Sequence, residues 1–334
     1  MKILIIGGTA FIGYHVVQEL HQSGQHEVIL FNRGTRKRDI PPGVRLIEGD
    51  RFQIDQHQAE FADLKPDVVL HMVPIGEEDT KWVMETFRGI TSRIVAISSC
   101  DVYRAYGKLI GSETGAPESM PLTEDSPLRQ TLYPYQHQEN SPEILKKYDK
   151  ILVEQLVMND EHITGTILRL PVVYGERDYQ HRMYHYLKRM ADNRPAILIN
   201  EHHANWRMSR AYVKDVAHAI CLAITSDTAS SRIYNVAETH ALTEHEWIQR
   251  IAELVGWNGD IITLPDVILP VEKGFMPEQH MIIDSTRIRS ELQYSEQTPP
   301  ANAYQQTITW EQANPPANVD EEQWVARYEE EDHI

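Results

Sequence analysis

The first 24 residues restrict the fold of this chain more than any other stretch. An apolar run, Lys2–Ile6, leads straight into Gly7-Gly8-Thr9-Ala10-Phe11-Ile12-Gly13. Ile12, Val16 and Leu20 then recur at helical spacing, and Gly24 is placed to end that helix. A strand that enters a helix through glycines leaves the first helical N–H groups open and removes the side chains that would keep an anion away from them. The segment predicts a phosphate-binding turn built from Gly7, Gly8 and Gly13, with Thr9, Phe11 and Ile12 between them.

Strand-like runs follow at 27–31, 44–47, 67–71, 93–98, 166–170 and 233–236, with helical patterns between them. Their apolar positions are nearly continuous, as in parallel strands covered on both faces. The alternation predicts an α/β fold, a Rossmann-type doubly wound parallel sheet with a smaller, mixed C-terminal substrate domain. Residues 1–171 are expected to form the dinucleotide-binding domain, with a segment near 205–238 returning to it. Residues 172–313 are expected to form an interleaved small domain. Within it, Thr243 and Glu246 form a capping box before Trp247, Ile251 and Leu254, and Gly256 ends that helix. Residues 314–334 read as an acidic, Pro-containing tail, mobile unless Trp324 and Tyr328 dock it.

A net charge of −17 repels phosphate backbones and argues against a nucleic-acid partner. Cys100 and Cys221 are the only cysteines, too few for a disulfide framework or a metal cluster. His202 and His203 lack a third ligand at a familiar spacing and read as loop residues, so no metal is expected. No apolar stretch is long enough for a signal peptide or a membrane helix, which predicts a cytoplasmic protein with no membrane partner.

Strands that serve NAD usually end in an acid that bonds the ribose 2′-hydroxyl. Here the second strand ends in Asn32 and Arg33, followed by Arg36, Lys37 and Arg38. A neutral side chain beside cations suits a 2′-phosphate, which favours NADP over NAD.

Taken together, these segments resemble the extended short-chain dehydrogenase/reductase family, the NAD-dependent epimerases and dehydratases. Gly-Gly-Thr-x-Phe-Ile-Gly looks like the family's cofactor turn, with Ala10 where the family often has a middle glycine. Asp50, followed by Arg51, matches the family position near the adenine. Ser98-Ser99-Cys100-Asp101-Val102-Tyr103 resembles the family's Ser-Ser-x-x-Val-Tyr, which makes Ser99 the implied catalytic hydroxyl. Asp101 falls where family dehydratases carry an acid; it either assists proton transfer or caps a turn. Lys150, in Lys150-Ile151-Leu152-Val153-Glu154, matches the lysine that holds the nicotinamide ribose.

The family tyrosine stands four residues before that lysine, but here the position is Lys146. The nearest tyrosine, Tyr148, would lie about 200° from Lys150 on a regular helix. It can act as the acid/base only if the helix starts at Asp149 and Tyr148 turns inward from the preceding loop. Tyr133 and Tyr135 are outside candidates. The resemblance runs to about residue 295, through Arg169-Leu170-Pro171-Val172-Val173-Tyr174-Gly175 and Tyr212-Val213-Lys214-Asp215. It lacks the arginine that sugar-nucleotide epimerases place shortly before the Asp284 position. Glu278 stands nearby, with Arg182, Arg207 and Arg210 as candidate replacements.

The resemblance implies an NAD(P)-dependent oxidoreductase of the epimerase/dehydratase type, acting on a hydroxyl or carbonyl of a sugar nucleotide or related small molecule. Carbonyl reduction is the nearest alternative. A cofactor-binding sensor with little turnover is another, suggested by the displaced tyrosine. The resemblance also implies a homodimer, and the net charge disfavours an RNA-binding relative of the same fold.

Overall fold

The computed structural model describes residues 1–137, 142–271 and 274–334. Six strands come first in the chain: β1 (Lys2–Ile6), β2 (Glu27–Asn32), β3 (Arg45–Glu48), β4 (Val68–His71), β5 (Arg93–Ser99) and β6 (Thr164–Leu170). A seventh, Arg232–Asn235, joins beside β6, and every pairing is parallel. The order across the sheet is seventh strand, β6, β5, β4, β1, β2, β3. The chain therefore winds outward from β1 to β3, then restarts at β4 and winds the other way. Ligands of such sheets sit where the winding reverses, at the C-terminal ends of β1 and β4.

The continuous apolar runs have the expected cause. Ile3 and Ile5 pack on one face with Val16, Leu20 and Ile220, while Leu4 and Ile6 pack on the other with Phe61, Phe87 and Val153. β6 starts two residues earlier than its apolar signal, because Thr164 and Gly165 pair in register with Arg93 and Ile94. Helix α1 (Phe11–Gln22) lies against the Val213–Thr225 helix, which leads into the seventh strand.

Beyond β6 two small parallel pairs form: Val172–Tyr174 with Arg210–Tyr212, and Ala196–Asn200 with Asp260–Leu264, which follows the seventh strand. The capping box forms: Glu246 N–H donates to Thr243 Oγ1 at 3.1 Å, and Thr243 N–H to the Glu246 carboxylate at 2.7 Å. His202 and His203 are not in a loop. They sit on the Glu201–Asn205 helix, whose cap Asn200 accepts both of their N–H groups through Oδ1.

The tail forms a helix, Glu321–Asp332, none of whose residues is buried. Charge holds it in place: Arg189 pairs with Glu331 at 2.5 Å, Lys188 with Glu321 at 3.1 Å, and Arg194 with Asp332. Arg189 lies over the Trp324 ring and Arg194 over Tyr328. Pairs with a solvent-exposed carboxylate contribute about 0.2–1 kcal/mol each and weaken in salt. Lys188–Glu321 and Arg194–Asp332 are of this kind, whereas Arg189–Glu331 is partly buried. Truncation after Asn314 should therefore cost no more than about 3 kcal/mol, and tryptic cleavage of the tail should accelerate between low and 1 M salt. A truncated chain that fails to fold would contradict this.

Candidate active site

At the end of β1 the backbone takes up the left-handed region, with Gly7 at φ 104° and Gly8 at φ 86°. A side chain at either position would strain the turn. Gly7 N–H donates to Phe31 O at 3.0 Å, which pins the turn to β2. Helix α1 opens at Ala10 with no side-chain cap and no acid in its first turn. Its leading N–H groups are thus left for an anion, and the residues fit a dinucleotide pyrophosphate. Phe11 is buried and meets Tyr179 edge-on at 6.3 Å, Ile12 packs against the core, and Thr9 is partly exposed.

Asn32 does more than end β2. Its Nδ2 donates to Gly7 O at 3.1 Å, and its Oδ1 accepts Gly34 N–H at 2.9 Å. It ties the glycine turn to the loop that carries the cations. In that loop Arg33, Arg36 and Arg38 are exposed, while Lys37 pairs with Glu48. Asp50 caps the next turn, accepting Phe52 N–H at 3.0 Å. Arg51 reaches across to Val73 O at 2.9 Å, linking this side to the loop after β4.

That loop positions the lysine. Asp79 accepts the N–H groups of Ile75 and Gly76 at 2.9 and 2.8 Å and starts the Glu77–Phe87 helix. A Cβ on Gly76 would fall 2.2 Å from Lys147 O, so only glycine admits the 147–149 backbone here. Asp149 N–H bonds Ile75 O at 3.0 Å. Lys150 is buried, and its Nζ donates to Pro74 O and to Ile97 O (3.0 Å), which leaves one hydrogen for a ligand. Burial brings its ammonium down to about 8, against the pull of Asp101 and Asp79.

The Lys150–Met158 helix begins at Lys150 itself. Its cap is Asp149, whose carboxylate accepts Ile151 N–H at 2.8 Å and Tyr133 N–H at 2.6 Å. Tyr148 therefore precedes the helix, and the 200° separation does not apply. Its hydroxyl donates to Asp101 Oδ2 at 2.6 Å. Ser99 lies beside this pair and its Oγ accepts Asp101 N–H at 3.3 Å. The Tyr135 ring lies 5.4 Å from the Tyr148 ring, tilted by 51°, and its hydroxyl shares a 2.7 Å contact with that of Tyr106. The Tyr133 hydroxyl faces Glu77 instead. Ser99, Asp101, Tyr148 and Lys150 thus converge at the C-terminal end of β5.

Further buried residues complete the site, and among them His71 carried no sequence signal. Buried His71, at the end of β4, is held neutral by burial and by Lys150 and Arg51. Behind Ser99, Ser98 Oγ donates to Glu154 Oε1 at 2.5 Å, and Glu154 takes a two-pronged ion pair from Arg169 at 2.9 and 2.7 Å. Of the three candidate diphosphate arginines, Arg182 pairs with Asp178, and Arg210 pairs with Glu244 and lies over Trp247. Arg207 is exposed, with Nη1 on Ala241 O at 2.9 Å.

The sheet order and the uncapped glycine turn at its reversal point define a Rossmann-type protein. Comparison with known proteins narrows this: the chain belongs to the NAD dependent epimerase/dehydratase family, whose model matches residues 3–237. It is 23% identical over 274 residues to 2'-dehydrokanamycin reductase of Streptomyces kanamyceticus, covering 79% of this chain and 70% of that one. It is 28% identical over 133 residues to UDP-glucose 4-epimerase of Azospirillum brasilense, a match spanning 38% of each chain. In structure it is similar to UDP-glucose 4-epimerase of Thermotoga maritima, with TM-score 0.69 and 18% identity over 94% of this chain and 99% of that one. Among the described residues, no helix is long and apolar enough to cross a membrane.

Proposed function

We propose that this protein interconverts a hydroxyl and a carbonyl on a carbohydrate substrate with NADP as cofactor, and that Tyr148 exchanges the proton. The observation that carries this is the meeting of the Tyr148 hydroxyl, Ser99, Asp101 and Lys150 at the sheet edge that also holds the glycine turn. The nicotinamide, when bound, supplies or takes up the hydride. Gly7, Gly8, Gly13 and the N–H groups of Thr9, Phe11 and Ile12 would hold the pyrophosphate. Arg33, beside Asn32, would meet the 2′-phosphate, and Asp50 with Arg51 would flank the adenine. The remaining Lys150 hydrogen would go to the nicotinamide ribose, and Ser99 Oγ would bond the substrate oxygen.

Epimerisation and carbonyl reduction both fall within this reading, because the relatives matched over most of both chains include a reductase and a putative UDP-glucose 4-epimerase. Arg182 and Arg210 are paired to carboxylates, so for a sugar-nucleotide substrate the diphosphate would fall to Arg207, which is exposed, with its guanidinium bonded to Ala241 O. Fluorescence titration with NADPH and NADH, followed by a screen of sugar nucleotides and simple ketones, tests the reading. NADPH should bind more tightly. Tyr148→Phe should keep that affinity and lose about 100-fold in rate, the lower end for positioned proton transfer. Failure of both dinucleotides to bind removes the proposal; normal turnover by Tyr148→Phe removes the tyrosine's role.

A further inference from the structure

We propose that Asp101 is the proton acceptor behind Tyr148, so that proton exchange at the substrate oxygen runs through a Tyr148–Asp101 relay rather than through a tyrosinate sustained by Lys150. The inference rests on the role given to Tyr148 above. Three geometric facts carry it. The Tyr148 O–H already points at Asp101 Oδ2, 2.6 Å away. Asp101 is 5% exposed, and its Oδ1 is buried with no hydrogen-bond partner among the described residues. A carboxylate so placed is poorly compensated as an anion and is ready to take a proton. Lys150, meanwhile, gives two hydrogens to main-chain carbonyls, and its Nζ sits 5.5 Å from the centre of the Tyr148 ring, over the face rather than at the hydroxyl.

The groups that face Asp101 come from every element around it. Ser99 and Cys100 precede it in the chain. Tyr148, Asp149 and Lys150 come from the start of the lysine helix, Tyr106 from the Arg104–Leu109 helix, and Arg129 and Tyr135 from the loop beyond. Arg129 gives its Nε to the main-chain oxygen of Asp101, not to the carboxylate, and lies 3.6 Å from Asp149. Burial pushes the Asp101 carboxyl up, and the nearby Asp149 adds to this; the Tyr148 hydrogen bond, Arg129 and Lys150 oppose it. Burial, then the Asp101 charge, pushes the Tyr148 hydroxyl well above its ordinary range, so Tyr148 stands as a neutral O–H donor.

In the oxidising direction the substrate hydroxyl proton bonds to Tyr148 Oη while the Tyr148 proton passes to Asp101 Oδ2. The hydride that completes the oxidation goes to the nicotinamide. Asp101 ends as a neutral acid, and reduction is the reverse, with Asp101 giving up its proton. Oxidation needs the carboxylate, so its rate rises with pH through the Asp101 titration. Reduction needs the acid, so its rate falls with pH through the same titration.

The test pairs a spectroscopic readout with turnover. In full-length protein labelled with 13C at the aspartate carboxyl carbons, Asp101→Asn identifies the Asp101 signal. That signal should titrate above the ordinary value of about 3.9. Tyr148→Phe should move its midpoint higher still, because the lost hydrogen bond favoured the anion. With NADPH and 9,10-phenanthrenequinone as probe, Asp101→Asn should lower kcat about 100-fold and lose the pH limb, while KM and NADPH affinity stay within about twofold. An Asp101 carboxyl that titrates in the ordinary range and ignores Tyr148→Phe overturns the relay. So does an Asp101→Asn variant with wild-type rate and pH profile. If Asp101→Asn does not fold, the signal that shifts between wild type and Tyr148→Phe decides alone. If the wild type binds NADPH but leaves the quinone unreduced, the proposed function is at fault, and the carboxyl titration still decides the relay.

Discussion

Gly13→Ala is expected to weaken NADPH binding by about 5- to 150-fold while leaving the sheet folded. A Cβ at Gly13 would stand 2.8 Å from Gly8 Cα and 3.1 Å from Gly8 N. Both atoms are backbone, so neither can rotate away. The free protein can relieve the clash by opening the turn, but the bound protein must close it, because the same N–H groups have to converge on the pyrophosphate. Overpacking of this kind costs about 1–3 kcal/mol, and tenfold in affinity corresponds to about 1.4 kcal/mol. Far-UV circular dichroism and fluorescence titration separate the two effects. Binding within twofold of wild type would mean that the ligand does not rest on this turn.

The same turn shows why the fold was legible from sequence. Glycine placement and continuous apolar runs are local signals, and the parallel sheet needs little more. Ser99 and Lys150 were legible for a related reason: each sits at the end of an element that the pattern already marked. Tyr148 was harder. Its role depends on where the helix starts, and Lys146 and Lys147 form helix as readily as the residues after them. The start is set from a distance, by Tyr133 N–H on the Asp149 carboxylate and by the space that Gly76 leaves for the 147–149 backbone. Asn32 was read as a residue for the ribose, but its amide holds the glycine turn through a bond 25 residues away in sequence. The tail was read as mobile unless its aromatic residues dock it. Both rings do dock, against Arg189 and Arg194, and opposite charges on Lys188, Arg189 and Arg194, more than 130 residues earlier, add to the docking in a way the sequence did not signal. Each difference comes from a contact between distant segments, which periodicity and spacing do not encode.

Arg169→Met is expected to lower unfolding stability by about 3–5 kcal/mol, the largest effect among single changes near the site. Arg169 is 2% exposed and Glu154 4%, so removing the guanidinium strands a buried carboxylate. The loss extends past the pair. Arg169 Nη1 also serves Glu124 O at 2.9 Å and the Tyr103 hydroxyl at 3.1 Å, and the guanidinium lies 4.9 Å over the Tyr103 ring. Glu154 sits one turn beyond Lys150, and its other partner is Ser98, the neighbour of Ser99. The ion pair therefore ties β5, β6 and the lysine helix together directly behind the reacting groups. Turnover should fall along with stability, while the glycine turn, on the far side of β4, should still bind NADPH. Replacing both partners, as in Glu154→Leu with Arg169→Met, should recover part of the loss, because no unpaired charge is then left buried. Urea unfolding followed by circular dichroism gives the comparison. A single variant within about 1 kcal/mol of wild type would show that water reaches Glu154 and that the pair does not hold the site.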